Sequence, residues 1–455
     1  MTPERTVLLV GLVGGLLFVA LTPPFQAPDE TRHFSRTYQL SEGVLFPHAG
    51  RAELPESVVR VEGDFQYLVG HPERKVDMAA WRKALFLPLE PGNRVASNVL
   101  GAALSTPFPY LPQALAALAG RTLGLPPLGI LYLCRLVNLL ACLAVAWTAV
   151  RIAPFYRWLF AFLALDPMAL FLRSSTSPDA AIDAAALLLV ATALAAAAAS
   201  AGNAGKPGRD RGWIALLLTL AGTAAFVGLA KGATYLLLPA LVLLLPAERL
   251  AGRRRQVAMI AAVLALALSG AAFSGWEARR GYTPLRVEVR ADPTAQTAEI
   301  VHHPVRFLAI VLADTVRQAP VYAIQFVGNL GWLDTPLPAP VLLVYALLLL
   351  ALALVDGSPS FLLGPRGRLL VAAITAGTVV AIFASQYLLW TAVGADTVDG
   401  VQGRYFLPLA PAAALLVLNR KWARQLDPAG RWLCGVAALA TAAALVQVGV
   451  RYYGS

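Results

Sequence analysis

Long apolar runs dominate the chain, separated by short polar or basic turns. A helix crossing hydrocarbon needs about 20 mostly apolar residues, because backbone amides there must bond within the helix. The pattern predicts spans near 6–22, 127–150, 156–173, 180–200, 213–229, 232–246, 257–274, 340–355, 369–390, 406–419 and 432–450. The expected fold is an all-α polytopic membrane protein of about eleven transmembrane helices, forming a single transmembrane domain over 1–455.

The remaining segments divide by side. Residues 23–126, 275–339 and 391–405 are longer, polar and face one way in this scheme. Within the first, 105–120 is apolar but holds Pro107, Pro109 and Pro112, which points to an interfacial or re-entrant piece. Residues 304–327 carry Arg306, Asp314 and Arg317 and read as a helix lying at the interface. Opposite them fall Arg151/Arg157, Lys206/Arg209/Arg211, Arg249/Arg253/Arg254/Arg255, Arg366/Arg368 and Arg420/Lys421/Arg424/Arg431. The positive-inside rule makes that basic side cytoplasmic, with the N-terminus inside. The run from Val7 to Leu21 resembles a signal peptide, but Thr22-Pro23-Pro24-Phe25 is a poor cleavage site, so a first anchor is expected.

Composition narrows the function classes. Of 455 residues, 58% are hydrophobic and 14% charged, with a mean hydropathy of +0.64, which excludes an ordinary soluble enzyme and a disordered chain. The net charge of +11 reads as basic loops beside a bilayer, not as a nucleic-acid partner. Cys134, Cys142 and Cys434 all lie in apolar segments. The first two stand two helical turns apart, and no disulfide or metal spacing follows.

Candidate chemistry begins directly after the first span, in Pro28-Asp29-Glu30-Thr31-Arg32-His33. A helix from Pro28 to Glu42 places Asp29 and His33 one turn apart on one face, with Glu30 adjacent. Acidic residues in a first turn also simply complement the helix dipole, and Pro suits the first helical position. Their place beside the bilayer gives them a second reading. A carboxylate there can deprotonate an acceptor hydroxyl on a lipid-linked substrate, or Asp29, Glu30 and His33 can hold a divalent cation.

Basic groups from distant segments fall on the same side. Arg173 precedes Ser174-Ser175-Thr176-Ser177-Pro178-Asp179, Lys231 interrupts Gly228-Leu229-Ala230-Lys231-Gly232, and Arg404 lies in Gly400-Val401-Gln402-Gly403-Arg404-Tyr405. Arg135 and Asn138 sit within the second span, and Asp166 and Asp183 are candidates to pair with buried arginines. Charges in or near hydrocarbon are costly and usually have a partner or a task. Arg173 and Lys231 can also snorkel to the headgroups, and Ser177 reads first as a helix cap. Taken together, these cations suit an anionic phosphate carried on a lipid.

The run Pro24-Phe25-Gln26-Ala27-Pro28-Asp29-Glu30 through His33, Arg36 and Leu40-Ser41-Glu42-Gly43 resembles a bacterial membrane-protein family known mainly as a domain of unknown function. So do Phe326-Val327-Gly328-Asn329-Leu330-Gly331-Trp332-Leu333-Asp334-Thr335 and Gly400-Val401-Gln402-Gly403-Arg404-Tyr405-Phe406-Leu407-Pro408. That family is similar to the GT-C superfamily, whose glycosyltransferases use polyprenyl-phosphate sugars on the outer side of the membrane. The resemblance implies a GT-C-like fold in a bacterial inner membrane with the active site facing the periplasm. It implies Asp29 or Glu30, with His33, as catalytic groups, and Arg404, Lys231, Arg173 and Arg135 as donor-phosphate ligands. Gln402, Tyr405, Trp332, Asp334 and Asp179 fall to the substrate pocket, and Trp332, Tyr405 and Trp390 offer flat faces to a sugar or sit in the aromatic belt.

The expected activity is inverting transfer of a monosaccharide from polyprenyl phosphate to a glycan, lipid or protein acceptor, with a divalent cation as the one cofactor to consider. The alternatives are a polymerase or ligase of lipid diphosphate-linked glycans, and a lipid or sugar transporter. A transporter calls for inverted repeats, and none is visible; only Asp166 beside Pro167 leans that way.

Overall fold

The computed structural model describes residues 1–47, 50–202, 211–245, 253–281, 291–358, 361, 363–419, 421–424 and 426–454. Of the basic-loop residues, Lys206, Arg209, Arg249 and Arg420 lie outside the described residues, as does 282–290 of the second polar segment. Among the described residues, eight helices are long and apolar enough to cross a membrane: Pro3–Leu21, Pro127–Ile152, Asp179–Ala198, Arg211–Ala230, Val257–Glu277, Pro304–Gly328, Pro365–Trp390 and Gly430–Tyr453.

The difference from about eleven has a local physical cause in each segment. The stretch expected at 156–173 is two pieces, Arg157–Ala164 and Pro167–Arg173. Pro167 lacks the amide that would continue the ladder, and Asp166 Oδ1 accepts from the amides of Met168 and Ala169, starting a new helix. The stretch at 232–246 is a turn of helix, Gly232–Tyr235, then a 3₁₀ segment Leu238–Leu244 containing Pro239. At 406–419, Pro408 lies in a 3₁₀ segment, Gly403–Leu409, that leads into the short helix Ala410–Val417. Ala339–Val355 is apolar but only 17 residues long.

Pro304–Gly328 has the length of a span, yet it lies along the 391–405 loop. Arg306 bonds Gly394 O and Asp396, Asp314 Oδ2 accepts from Val398 N at 2.6 Å, and Gln325 Oε1 accepts from Gly403 N at 2.8 Å. It is thus one of the helices able to cross, where the sequence pattern pointed to an interfacial one, and it bonds that loop through Arg306, Asp314 and Gln325.

Hydrogen bonds sort the bundle into two ends. At one, Arg157 pairs with Glu4, Tyr156 N donates to Asp356 O, Arg368 to Leu418 O, and Arg424 N to Val355 O. At the other, the first polar segment caps the helices: Thr106 Oγ1 donates to Leu229 O, Ser274 Oγ to Leu104 O, and Lys75 Nζ to the carbonyls of Val450 and Arg451. Segments that the pattern assigned to one side therefore meet at one end.

That cap holds most of the small amount of sheet. Arg51–Pro55 pairs antiparallel with Arg94–Asn98, Arg51 facing Asn98, and a second ladder joins Asn329–Leu330 to Thr335–Pro336. The proline-rich piece ends in the helix Leu111–Thr122, whose Leu111, Leu115 and Leu118 form one exposed stripe, as an interfacial helix requires. In the bundle, Pro3–Leu21 approaches its neighbours closely through small residues: a Cβ on Gly14 would fall 2.4 Å from Thr441 Cγ2.

Candidate active site

The helix after the first span runs from Glu30 to Ser41, with Asp29 at its N-cap. Asp29 adopts a left-handed backbone (φ 59°, ψ 13°), and its side chain makes no capping bond. Its carboxylate is therefore free of the helix amides. Instead Asp29 Oδ2 accepts from Arg404 Nη2 at 2.8 Å, and Arg32 Nη1 stands 3.9 Å from Oδ1.

Arg404 arrives through a close approach. Gly403 packs against Pro304–Gly328 so tightly that a Cβ there would lie 2.1 Å from Tyr322 O. The guanidinium beyond it is buried, with 3% of the residue exposed. Nη2 is engaged; among the described residues, the buried Nε and Nη1 have no hydrogen-bond partner. Lys231 is placed by the cap, since Thr106 N and Oγ1 bond the carbonyls of Ala230 and Leu229 just before it. Lys231 Nζ lies 3.1 Å from Asp179 Oδ1 and 5.1 Å from the Tyr405 ring centroid, while Arg404 lies 5.4 Å from the same ring. Two cations thus flank one aromatic ring, each beside one carboxylate.

His33 sits one turn after Asp29 and shares its face. Its Nδ1 is 2.9 Å from Tyr110 Oη, and Tyr110 Oη also bonds Ala102 O at 3.3 Å. Burial, reinforced by Arg404 and Lys231 and opposed by Asp29 and Asp179, pushes His33 down to about 4. Burial would raise Asp29, but Arg404, His33 and Arg32 overcome it and hold the carboxyl below its usual range. At neutral pH the site therefore holds a carboxylate and a neutral imidazole.

Asp29, Arg32, His33, Asp179, Lys231 and Arg404 all line one cavity of about 1070 Å³, together with Tyr405 and Trp390. An acid from the first polar segment thus meets bases from the middle and the end of the chain.

Three of the expected charged residues, Glu30, Arg135 and Arg173, are placed elsewhere. Glu30, the first residue of the helix, is fully buried against Arg135, with Arg135 Nε 2.8 Å from Oε1. Arg135 also donates to the carbonyls of Thr22 and Pro23, so this pair fastens the start of the outer helix to the second long helix and does not reach the cavity. With Glu30 turned away, the Asp29–Glu30–His33 set for a cation is split. Arg173 is buried within the bundle, donating to Ala164 O, and its approach to the headgroups is blocked.

The other motif positions are framework. Trp332 Nε1 donates to Phe25 O at 3.0 Å, and Asp334 pairs with Arg451 at 2.8 Å. Gln402 adjoins the cavity segment without lining it, and its Oε1 is buried without a partner.

Sequence reasoning missed Arg32, although its i+3 spacing from Asp29 was a readable signal. It also missed Ser385, Gln386, Thr294 and Thr297, which line the opposite wall. Short polar residues at helix ends resemble any surface and give no pattern to find.

A family model described as a predicted membrane protein, DUF2142, matches residues 12–413. No curated protein and no solved structure matches the chain.

Proposed function

As the chain belongs to the DUF2142 family of predicted membrane proteins, we propose that it acts on a membrane lipid, as an inverting glycosyltransferase that takes a monosaccharide from a polyprenyl-phosphate donor. The observation that carries this reading is the cation cluster on the cavity wall, with Arg404 beside Asp29, Lys231 beside Asp179, and both against the Tyr405 ring. A guanidinium and an ammonium group so placed are matched to a phosphate oxyanion.

The charged end of the cavity suits a phosphodiester. There Arg32, Lys231 and Arg404 stand with Asp29 and Asp179, while the third lining carboxylate, Asp292, caps its own helix on the other wall. A polyprenyl phosphosugar carries one negative charge. In the reaction, Asp29 accepts the proton of the acceptor hydroxyl while that oxygen attacks the anomeric carbon. The bond from this carbon to the phosphate oxygen breaks, and its electron pair leaves with the lipid phosphate. The leaving group gains a negative charge as Asp29 loses one, and Arg404 and Lys231 stabilise that charge as it develops.

Glu30, Arg135 and Arg173 have no part in this mechanism, since their side chains lie outside the cavity. Asp166, the feature that leaned toward a transporter, works as a helix cap. The basic end of the bundle carries Arg151, Arg157, Arg366, Arg368, Arg424 and Arg431. The positive-inside rule then puts the cavity on the periplasmic face of the bacterial inner membrane, where a glycan, lipid or protein acceptor is reached.

The test is binding of undecaprenyl phosphate to the full chain in nanodiscs. Arg404→Ala should weaken binding by about tenfold or more, and undecaprenyl diphosphate should compete poorly. Unchanged affinity in the variant, or stronger binding of the diphosphate, overturns the reading.

A further inference from the structure

The cavity has two unlike walls. One is the charged cluster. The other comes from the helix Pro293–His302 and from the last turns of Pro365–Trp390, and among the described residues it has no lysine or arginine. Thr294 and Thr297, three residues apart, share one face of the first helix, and Gln386 and Trp390, four apart, share one face of the second. The two pieces are riveted together. Buried Gln296 donates to the carbonyls of Tyr387 (3.1 Å) and Ala392 (3.0 Å), and its own Oε1 accepts from Gly394 N at 3.0 Å. The wall is therefore preorganised, not a chance meeting of two helix ends.

We infer that this wall is a subsite for an uncharged sugar ring, with Trp390 as its platform and Gln386 as its principal hydrogen-bonding side chain. The inference rests on the lipid-phosphate reading above and assigns the part of the cavity that the phosphate does not use. An indole ring offers a negative face to the weakly positive C–H groups of a pyranose. The hydroxyls supply acceptors. Thr297 Oγ1 spends its proton on Pro293 O at 2.6 Å and Ser385 Oγ spends its own on Ile382 O at 2.8 Å, leaving lone pairs for ligand hydroxyls. The Gln386 amide has only a long 3.5 Å bond to Ser385 Oγ, so both its donor and its acceptor are open to a ligand.

The wall also excludes charge. Its one carboxylate, Asp292, caps its own helix through the amides of Thr294 (2.9 Å) and Ala295 (3.1 Å). His302, at the edge, gives its Nδ1 proton to Ala298 O at 2.7 Å. A uronic acid placed here would meet the Asp292 carboxylate, which disfavours it against neutral hexoses or pentoses.

The test compares undecaprenyl phosphate, undecaprenyl phosphoglucose and undecaprenyl phosphoglucuronate on the full chain in nanodiscs. The wild type should gain about tenfold from the neutral sugar and nothing from the uronate. Gln386→Ala and Trp390→Leu should erase that gain while binding the bare lipid phosphate as the wild type does. A wild type that binds bare lipid with no sugar-dependent gain overturns the sugar wall alone. So does a variant that weakens bare and glycosylated lipid equally. A wild type that binds no lipid phosphate at all overturns this subsite and the phosphate reading together.

Discussion

Arg404 Nη2 lies 2.8 Å from Asp29 Oδ2, joining residues 375 positions apart in the chain. The pair keeps Asp29 ionised and holds Arg404 at the cavity wall, so the two roles separate on mutation. Asp29→Asn keeps a hydrogen-bonding oxygen but loses the proton acceptor. Transfer should fall by about 100-fold or more, while affinity for undecaprenyl phosphate holds or rises because Arg404 is no longer neutralised. Single-turnover transfer and equilibrium binding on the same preparation check this; normal turnover would remove Asp29 from the mechanism.

Glu30 and Arg135 are both fully buried and joined by two hydrogen bonds. Removing one partner leaves the other as an uncompensated charge. Glu30→Ala should therefore destabilise the protein by about 3–5 kcal/mol, read as a lowered unfolding midpoint in detergent. Activity per folded molecule should be retained, which distinguishes this carboxylate from its neighbour Asp29.

His33 gives a pH signature. Its native value, about 4, is below its ordinary value of 6.5, so an unfolded chain takes up the proton first. The contribution of the neutral imidazole is fully present above pH 6.5 and is lost as pH falls towards 4. Thermal stability should drop between pH 7 and 5, and His33→Gln should flatten that drop. Asp29, whose value is held below 3.8, contributes its own loss only under this window.

Gly403 sets the position of Arg404 through backbone contact. A methyl at Gly403 has no room, because the nearest atoms are Tyr322 O and Phe326 N on the helix backbone. Gly403→Ala should displace the 403–409 segment, cost roughly 1–3 kcal/mol of stability, and weaken lipid-phosphate binding as Arg404→Ala does. An alanine variant with wild-type affinity would show that the close approach is dispensable.

Much of the site's placement was legible in the sequence for one reason. Alternation of spans fixes which loops share an end, and Asp29, Lys231, Asp179 and Arg404 all sit at loop edges on that end. Helix periodicity also put Asp29 and His33 on one face. Periodicity did not separate Glu30 from Asp29, because the left-handed backbone of Asp29 at the N-cap lies outside the helical repeat.

Other features were not legible. Hydropathy sees the apolar run through 156–173 but not that Asp166 and Pro167 divide it. It sees apolar character in 304–328 but not the polar rail of Gly394, Asp396 and Val398 alongside. Tyr110, which holds His33, came from a proline-rich piece with no titratable pattern of its own.

The fastening of Glu30 to Arg135 also has a consequence for biogenesis. Those residues are 105 apart, so the clasp can close once the second long helix has emerged from the ribosome. Arg404 follows on the order of tens of seconds later at usual elongation rates. Until then Asp29 waits, already aimed, without its principal counter-ion. A nascent chain stalled in between would hold the closed clasp and an acid with Arg32 alone beside it.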